Sequence, residues 1–445
     1  MKQRQHRQPK RGSAKTLPPA PPPVETRIVR VGADGDGVGA LADGSPLYIP
    51  FTLPDELILA RPVSRHGEGW ISTADTVLET SAERAVPACQ HFGTCGGCVA
   101  QHWQTPGYQA WKVALLQAGL RRAGYGDVAI SPIVSGMPGS RRRIDLAVRR
   151  LPAGVRLGLH RGRSSEVVDL VECPILHPDL FALIAPLRAL LTRLRTLRKE
   201  ASVVVNLLDS GPDLLLRGDA ALEQTDRNLI IDFARDHGLP RVSWALGIDT
   251  PETVVLLRPA VTSLSGTIVA PPPGAFLQAA QVGEQAIIER VLAAIPDKVP
   301  ARARVAELYA GCGTITFALA PRVRVAAFEG DRDAFAALRT AANNPATGGR
   351  VEAIQRDLTR QPLLVKELAS FAAVVLDPPH NGAPEQTGQI AASGVKTVVY
   401  VSCNPGALAK DGLMLKQAGY KLESVTPIDQ FLWSARLESV CVFRK

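Results

Sequence analysis

The chain has 445 residues, 46% hydrophobic and 21% charged, enough for two or three domains and at least one sizeable core. No run of 18 or more apolar residues occurs and no apolar h-region opens the sequence, so neither a membrane span nor a secretory signal is expected. A cytoplasmic location follows as the expectation, in which the seven cysteines serve as ligands, nucleophile or core rather than disulfides, and the net charge of +9 points to a polyanionic partner, RNA or DNA.

In chain order, residues 1–25 read as a disordered basic arm with a Pro-rich spacer, "LPPAPPPVE"; the first 24 residues hold six Lys or Arg and no acid. Residues 26–84 alternate short strand-like runs with Asp-Gly turns, which fits a small β-barrel of the oligonucleotide-binding type. Residues 85–272 form a mixed α+β region. It opens on "CQHFGTCGGC", contains the arginine run "SRRRIDLAVRR", and includes "PDLFALIAPLRALLTRLRTLRK", which predicts one helix with a basic last turn. The arginines Arg141, Arg142, Arg143, Arg149 and Arg150 read either as solvated surface or as phosphate contacts. Trp103, Tyr108 and Trp111 could stack on bases, although core packing is the plainer reading.

Pro271–Pro272–Pro273 marks a boundary, after which "FLQAAQVGEQAIIERVLAAI" predicts an amphipathic helix. From Arg304 onward strands and helices alternate: "RVAELYA", "RVRVAAFE", "RVEAIQRD", "AAVVLDPP" and "TVVYVSC". Such alternation predicts a parallel sheet covered on both faces, with ligands beyond the carboxyl ends of its strands. Residues 273–445 are the expected catalytic domain.

The first of these strands ends on Glu307–Leu308–Tyr309–Ala310–Gly311–Cys312–Gly313, and the second ends on Glu329, at the spacing where an acid accepts ribose hydroxyls. A dinucleotide and S-adenosyl-L-methionine both fit. The third position of the glycine pattern holds Thr316, and Glu307 would repel a pyrophosphate but suit a cationic amino-acid group, which favours S-adenosyl-L-methionine. Asp377–Pro378–Pro379 ends the fourth strand as a rigid turn beside the same rim.

"VVYVSCNPGALAKD" puts Cys403 at the tip of the next strand, just before Asn404–Pro405. A thiolate is useful beside a methyl donor when the acceptor carbon is not nucleophilic by itself, as at C5 of uracil. Attack of sulfur on C6 makes C5 an enolate carbon; a base must then remove the C5 proton. Glu438, inside the apolar run "RLESVCVF", is the candidate base, its pKa raised by burial. Cys89, Cys95 and Cys98 need a fourth partner, for which Cys173 in "LVECPIL" is the candidate; the spacing fits zinc or an iron–sulfur cluster, and Cys-Gly-Gly-Cys suits a large inorganic core. His91 and His102 read as loop residues.

Taken together, "FLQAAQ", "ELYAGCGT", "AFEGD", "VVLDPPHNG", "VSCNPGALAKD" and "LES", in this order, resemble the RNA uracil-5 methyltransferase family. The resemblance covers nearly all of the chain after the basic arm. It implies a Rossmann-like class I methyltransferase domain preceded by an oligonucleotide-binding-like TRAM barrel, for which "GDGVGALADGSPLYIPFTLPDELI" is a match. It also implies Cys403 as nucleophile and Glu438 as general base. Gln278, Tyr309, Gly311, Gly313, Thr314, Glu329, Asp357 and Asp377 would bind S-adenosyl-L-methionine or shape its pocket. Cys89, Cys95, Cys98 and Cys173 would hold a [4Fe-4S] cluster rather than zinc, in a structural or RNA-orienting role. The four cysteines resemble the ribosomal-RNA branch, so the expected substrate is a uridine of large-subunit 23S ribosomal RNA, with a monomeric enzyme and no membrane partner. A transfer-RNA enzyme of the same chemistry and a non-catalytic RNA-binding assembly factor are the alternatives. Departures from the family pattern are Thr314 where Asn is usual, His380 where Arg follows Asp-Pro-Pro, Gln281 where Asn is common, and Ala435–Arg436–Leu437 where a His-containing stretch is common.

Overall fold

The computed structural model describes residues 20–296 and 303–445. The basic arm before residue 20 therefore lies outside the described residues. Its expected end at residue 25 falls inside the first strand, which starts at Val24. The chain divides into two compact units between Arg84 and Ala85.

The first unit is all β: β1 (Val24–Arg27), β2 (Arg30–Val31), β3 (Asp36–Ala40), β4 (Pro46–Pro50), β5 (Leu57–His66) and β6 (Gly69–Glu79), ordered β1-β5-β6-β4-β3-β2. The Thr26 hydroxyl donates to the Ala40 carbonyl (3.1 Å) and accepts from the Ala40 amide (3.0 Å), so β1 reaches β3 and the sheet curls on itself. Alternating strand residues such as Leu47, Ile49 and Ile58, with Ile28 from the β1–β2 link, fill its small core.

The second unit contains two large sheets. Its helices are α1 (Thr105–Arg122), α2 (Pro178–Ala182), α3 (Ile184–Arg193), α4 (Gln224–Asp236), α5 (Gln281–Ala294), α6 (Thr314–Leu319), α7 (Arg332–Ala342), α8 (Val365–Leu368), α9 (Pro384–Ser393) and α10 (Pro405–Gln417). Its strands are β7 (Val134–Ser135), β8 (Arg143–Leu151), β9 (Gly154–His160), β10 (Val167–Asp169), β11 (Glu200–Leu208), β12 (Gly211–Gly218), β13 (Arg241–Leu246), β14 (Glu252–Leu256), β15 (Thr262–Leu264), β16 (Thr267–Val269), β17 (Arg304–Leu308), β18 (Arg324–Glu329), β19 (Val351–Gln355), β20 (Phe371–Leu376), β21 (Thr397–Ser402), β22 (Lys421–Asp429) and β23 (Glu438–Arg444).

One sheet has the order β10-β9-β8-β11-β12-β13-β14 and packs on α2, α3 and α4. The helix expected over 178–199 is in fact α2 and α3, separated at Leu183 and finished by Leu194 in extended conformation. Pro186 lacks an N–H and its ring opposes the carbonyl four residues earlier, so the first helix cannot run on through it.

The other sheet has the order β19-β18-β17-β20-β21-β23-β22-β7. The pairs from β19 to β21 are parallel, and β23 runs antiparallel to both of its neighbours. β21 is buried along its whole length, as a strand covered on both faces must be. α5, α6 and α7 supply the core of one face; α1, α8, α9 and α10 supply the other. α1 and β7 precede the boundary expected at residue 272, yet α1 packs beneath this sheet and β7 extends it. The strand order reverses at β17, and a parallel sheet opens its ligand crevice at such a reversal.

Candidate active site

A cavity of about 1240 Å³ opens at that crevice. The volume exceeds the few hundred to ~1,000 Å³ typical of a single small-molecule site, leaving room for more than a bound donor. Every sequence-predicted site residue lines it except Gly313 and Asp357.

Cys403 follows β21 directly. Asn404 caps α10, accepting from the Gly406 amide at 2.8 Å, and Pro405 takes the first helical position. Asn-Pro therefore stops the strand and starts a helix, which leaves Cys403 half-buried at the junction. Glu438 begins β23. In the β21–β23 ladder Ser402 faces Ser439, so one register step further puts Glu438 across from Cys403. Burial, then the Glu438 and Asp377 carboxylates, push the Cys403 thiol up to about 11, with Arg436 opposing.

Glu438 is 4% exposed and sits at the end of an amide relay. Gln430 donates to Glu438 Oε2 (3.1 Å) and to Gln278 Oε1 (2.7 Å), while Gln278 donates to Asp377 Oδ2 (3.2 Å). Glu438 Oε1 has no hydrogen-bond partner among the described residues. Burial raises both carboxyls of the relay above their usual range, and the charge of Asp377 adds to the rise at Glu438. Gln278 lies before α5, in irregular chain rather than at a helix start; the Arg142 side chain holds its backbone carbonyl (3.1 Å), and the side-chain Oε1 of Gln430 accepts from the Ala279 amide (3.1 Å).

On the donor side, Tyr309 (φ +63°) and Gly311 (φ +57°) take left-handed backbone, and a Cβ at Gly311 would meet nothing within 4 Å. The chain there is open to a ligand. Glu329 closes the turn, accepting from the amides of Gly311 (2.7 Å) and Asp331 (2.6 Å). Gly313 serves packing instead: at φ +100°, a Cβ would strike the Phe317 ring at 2.4 Å. Asp357 caps its own turn by accepting from Thr359 (3.0 Å) and Arg360 (3.3 Å), away from the cavity. Asp331 and Asp333, unremarked in the sequence, line the cavity where Asp357 was expected. Glu307 is buried against the Thr316 hydroxyl and pushed up to about 8, chiefly by burial.

Cys89, Cys95, Cys98 and Cys173 line the same cavity, but no three His, Cys, Asp or Glu side chains among the described residues form a metal-holding group. Burial, and after it the neighbouring cysteines, push the thiols of Cys89, Cys95 and Cys98 up, the last to about 12. The Gly97 amide points at Cys95 Sγ (3.5 Å), and the half-buried Arg141 lines the cavity beside Cys98 and Cys173. His91 accepts from the Val171 amide (3.1 Å), and His102 packs against Phe92 with ring centroids 5.2 Å apart.

The arginine run does not present one phosphate surface, because its members bind protein groups. Arg142 pairs with Glu284, Arg149 with Glu200, and Arg150 collects the carbonyls that end α3. Arg143 lies over the ring of Phe276 (5.5 Å), which is 65% exposed at the cavity mouth. Trp103, Tyr108 and Trp111 are core. Tyr108 and Lys112, one turn apart on α1, grip the segment leading to Glu438. Lys112 bonds Asp429 (2.5 Å) and the carbonyls of Phe431 (3.1 Å) and Arg436 (2.7 Å); Tyr108 bonds Asp429 (2.6 Å) and accepts from the Trp433 amide (2.7 Å). The Trp433 carbonyl in turn accepts from Val99 (2.7 Å) and Ala100 (3.1 Å), just after Cys98.

The family model described as tRNA (Uracil-5-)-methyltransferase matches residues 272–445. An RNA methyltransferase of Brucella suis, described as uncharacterized, is 39% identical over 419 residues, covering 94% of this chain and 97% of its own length. The 23S rRNA (uracil(1939)-C(5))-methyltransferase RlmD of Yersinia enterocolitica is 33% identical, with 92% of each chain covered. Among solved structures, the Pyrococcus abyssi tRNA (uracil-54, C5)-methyltransferase in complex with S-adenosyl-L-homocysteine superposes with a TM-score of 0.71 at 19% identity, covering 94% of this chain and 99% of that one; the likeness is one of fold.

Proposed function

The chain belongs to the RNA uracil-5 methyltransferase family, and from that premise we propose that it methylates C5 of a uridine in 23S ribosomal RNA through a covalent bond between Cys403 and C6. The observation that carries the chemistry is the cross-strand pairing of a rim cysteine with a buried carboxylate that keeps one oxygen unpartnered among the described residues.

Bound S-adenosyl-L-methionine supplies a sulfonium methyl group; the protein supplies everything around it. The turn at Tyr309–Gly311 leaves room for it, Glu329, Asp331 and Thr314 edge that space, and Asp377 contributes a carboxylate. Cys403 adds to C6, C5 takes the methyl group, and Glu438 Oε1 removes the C5 proton so that sulfur can leave. A carboxyl raised by burial is the stronger base once ionised, and a cationic donor nearby favours its ionised form. Gln430 and Gln278 hold Glu438 and Asp377 at fixed positions without carrying charge themselves.

The target base must leave its stack to reach Cys403, and Phe276 with Arg143 offers a cation-backed face for a base at the cavity mouth. The first unit is read as the TRAM-type barrel that binds RNA beyond the target. Cys89, Cys95, Cys98 and Cys173 would hold a [4Fe-4S] cluster. Four sulfurs suit iron, a backbone amide aimed at one of them and the half-buried Arg141 beside them suit an anionic core, and the group would crosslink loop 89–98 to the Cys173 segment. Mapping 5-methyluridine in ribosomal and transfer RNA from cells with and without the gene tests the substrate. Loss of a single 23S site supports the proposal; loss confined to transfer RNA, or no loss, overturns it.

A further inference from the structure

The mechanism above leaves one proton unassigned, that of the Cys403 thiol. Side chains from separate segments meet at this sulfur. His380, on the turn after Pro379, puts Nδ1 3.6 Å from Cys403 Sγ. Arg436, in the segment before β23, points Nη1 at the same Nδ1 from 3.3 Å. Asn404 donates to the His380 carbonyl at 2.9 Å and fixes that turn against α10. Nδ1 faces both the thiol and the Arg436 guanidinium, while the Asn404 side-chain amide lies 3.4 Å from Nε2; in the tautomer with its lone pair on Nδ1 the ring can accept from the thiol. The charged groups facing this pair are Arg436 from the β22–β23 connection, Glu438 from β23 and Asp377 from the end of β20. With burial first and two carboxylates after it opposing a thiolate, a resting thiol stays protonated and attack on C6 requires an acceptor touching sulfur.

We propose that His380 is that acceptor, a catalytic base acting on the nucleophile of the reaction proposed above. As the S–C6 bond forms, the S–H bond breaks toward Nδ1 and the C5=C6 electron pair moves into the enolate. After C5 takes the methyl group, Glu438 takes the C5 proton, the C–H electron pair restores C5=C6 and expels sulfur, and the imidazolium returns its proton to the leaving thiolate. The net proton departs from Glu438. Arg436 favours the lone pair on Nδ1 at rest and, being solvent-exposed, can turn away as the ring becomes charged. His380 and Arg436 are also two of the points where this sequence departs from the family pattern, and the structure brings them into contact.

The test needs no RNA, so its failure is distinguishable from failure of the uridine reading. In the full-length protein, carboxamidomethylation of Cys403 by iodoacetamide is followed across pH by peptide mass mapping. His380→Asn should shift the midpoint of reactivity upward by about one pH unit, roughly a tenfold slower reaction at pH 7.5. His380→Ala should behave likewise and regain reactivity with added imidazole, which a purely structural role would not produce. Binding of S-adenosyl-L-methionine checks that both variants are folded, and His380→Gln replaces either one that is not. An unchanged midpoint in a folded variant, or no response of His380→Ala to imidazole, overturns the proposal.

Discussion

Two regions deliver sulfur to one cavity by different means. Cys403 is delivered by regular structure: a buried strand, an Asn-Pro helix start and a ladder register that fixes its partner as Glu438. Cys89, Cys95 and Cys98 are delivered by irregular chain whose shape is held by isolated backbone bonds such as Cys95 N to His91 O (2.8 Å) and Gly96 N to His160 O (2.9 Å). A residue at the end of a strand is aimed by the whole sheet, and its surroundings follow from register. Cysteines in a loop are aimed by each other and by what they bind. The two regions nevertheless meet at Trp433, whose carbonyl holds the chain after Cys98 and whose amide is held by Tyr108.

The sharpest way to separate them is to remove one sulfur from each. Cys403→Ala should reduce methylation below detection while leaving donor binding and any bound iron unchanged, measured by methyl incorporation and metal analysis. Breaking the shared support comes next. Lys112→Met leaves the Asp429 charge buried and unpaired, and should cost about 3–5 kcal/mol of stability in chemical denaturation. Cys98→Ser should abolish bound iron and acid-labile sulfide and lower turnover by less than Cys403→Ala does, since it acts on the segment tied to Trp433 and not on the reacting atoms. The smallest effect concerns pH. The folded-state pKa of Glu438 is raised above its unfolded value, so its stabilising contribution is full below about pH 4.5 and lost as pH rises through the raised value. Glu438→Gln should therefore raise the melting temperature at pH 8 relative to wild type and leave it nearly unchanged at pH 4.5.

The comparison also explains what the sequence disclosed. The strands from 304 to 402 were legible because β-branched runs ending in glycine, acid-proline or Asn-Pro carry their own punctuation. The placing of Cys403 at the cavity rim was legible because Asn-Pro marks the end of its strand. Gln430 was not, since an amide bridging Gln278 and Glu438 has no local signature and its partner is 152 residues away. Asp357 was expected in the donor pocket because the family resemblance implied it; its carboxylate accepts from the Thr359 and Arg360 amides of its own turn. The arginine run read as a surface because charge patterning cannot reveal that Arg150 caps a helix or that Arg142 supports Gln278. The place of α1 beneath the catalytic sheet was hidden for the same reason: only tertiary contact joins it to α10, where a Cβ at Gly119 would meet the Pro405 carbonyl at 2.6 Å.

The central claim is a covalent bond between Cys403 and the pyrimidine, released by Glu438. Glu438→Gln protein incubated with S-adenosyl-L-methionine and RNA from cells lacking the gene should accumulate a denaturation-resistant protein–RNA complex. Its nuclease-trimmed peptide should carry a methylated uridine on Cys403, with turnover down by roughly 10²–10⁴-fold. Absence of any adduct, or an adduct on another cysteine, would contradict the account.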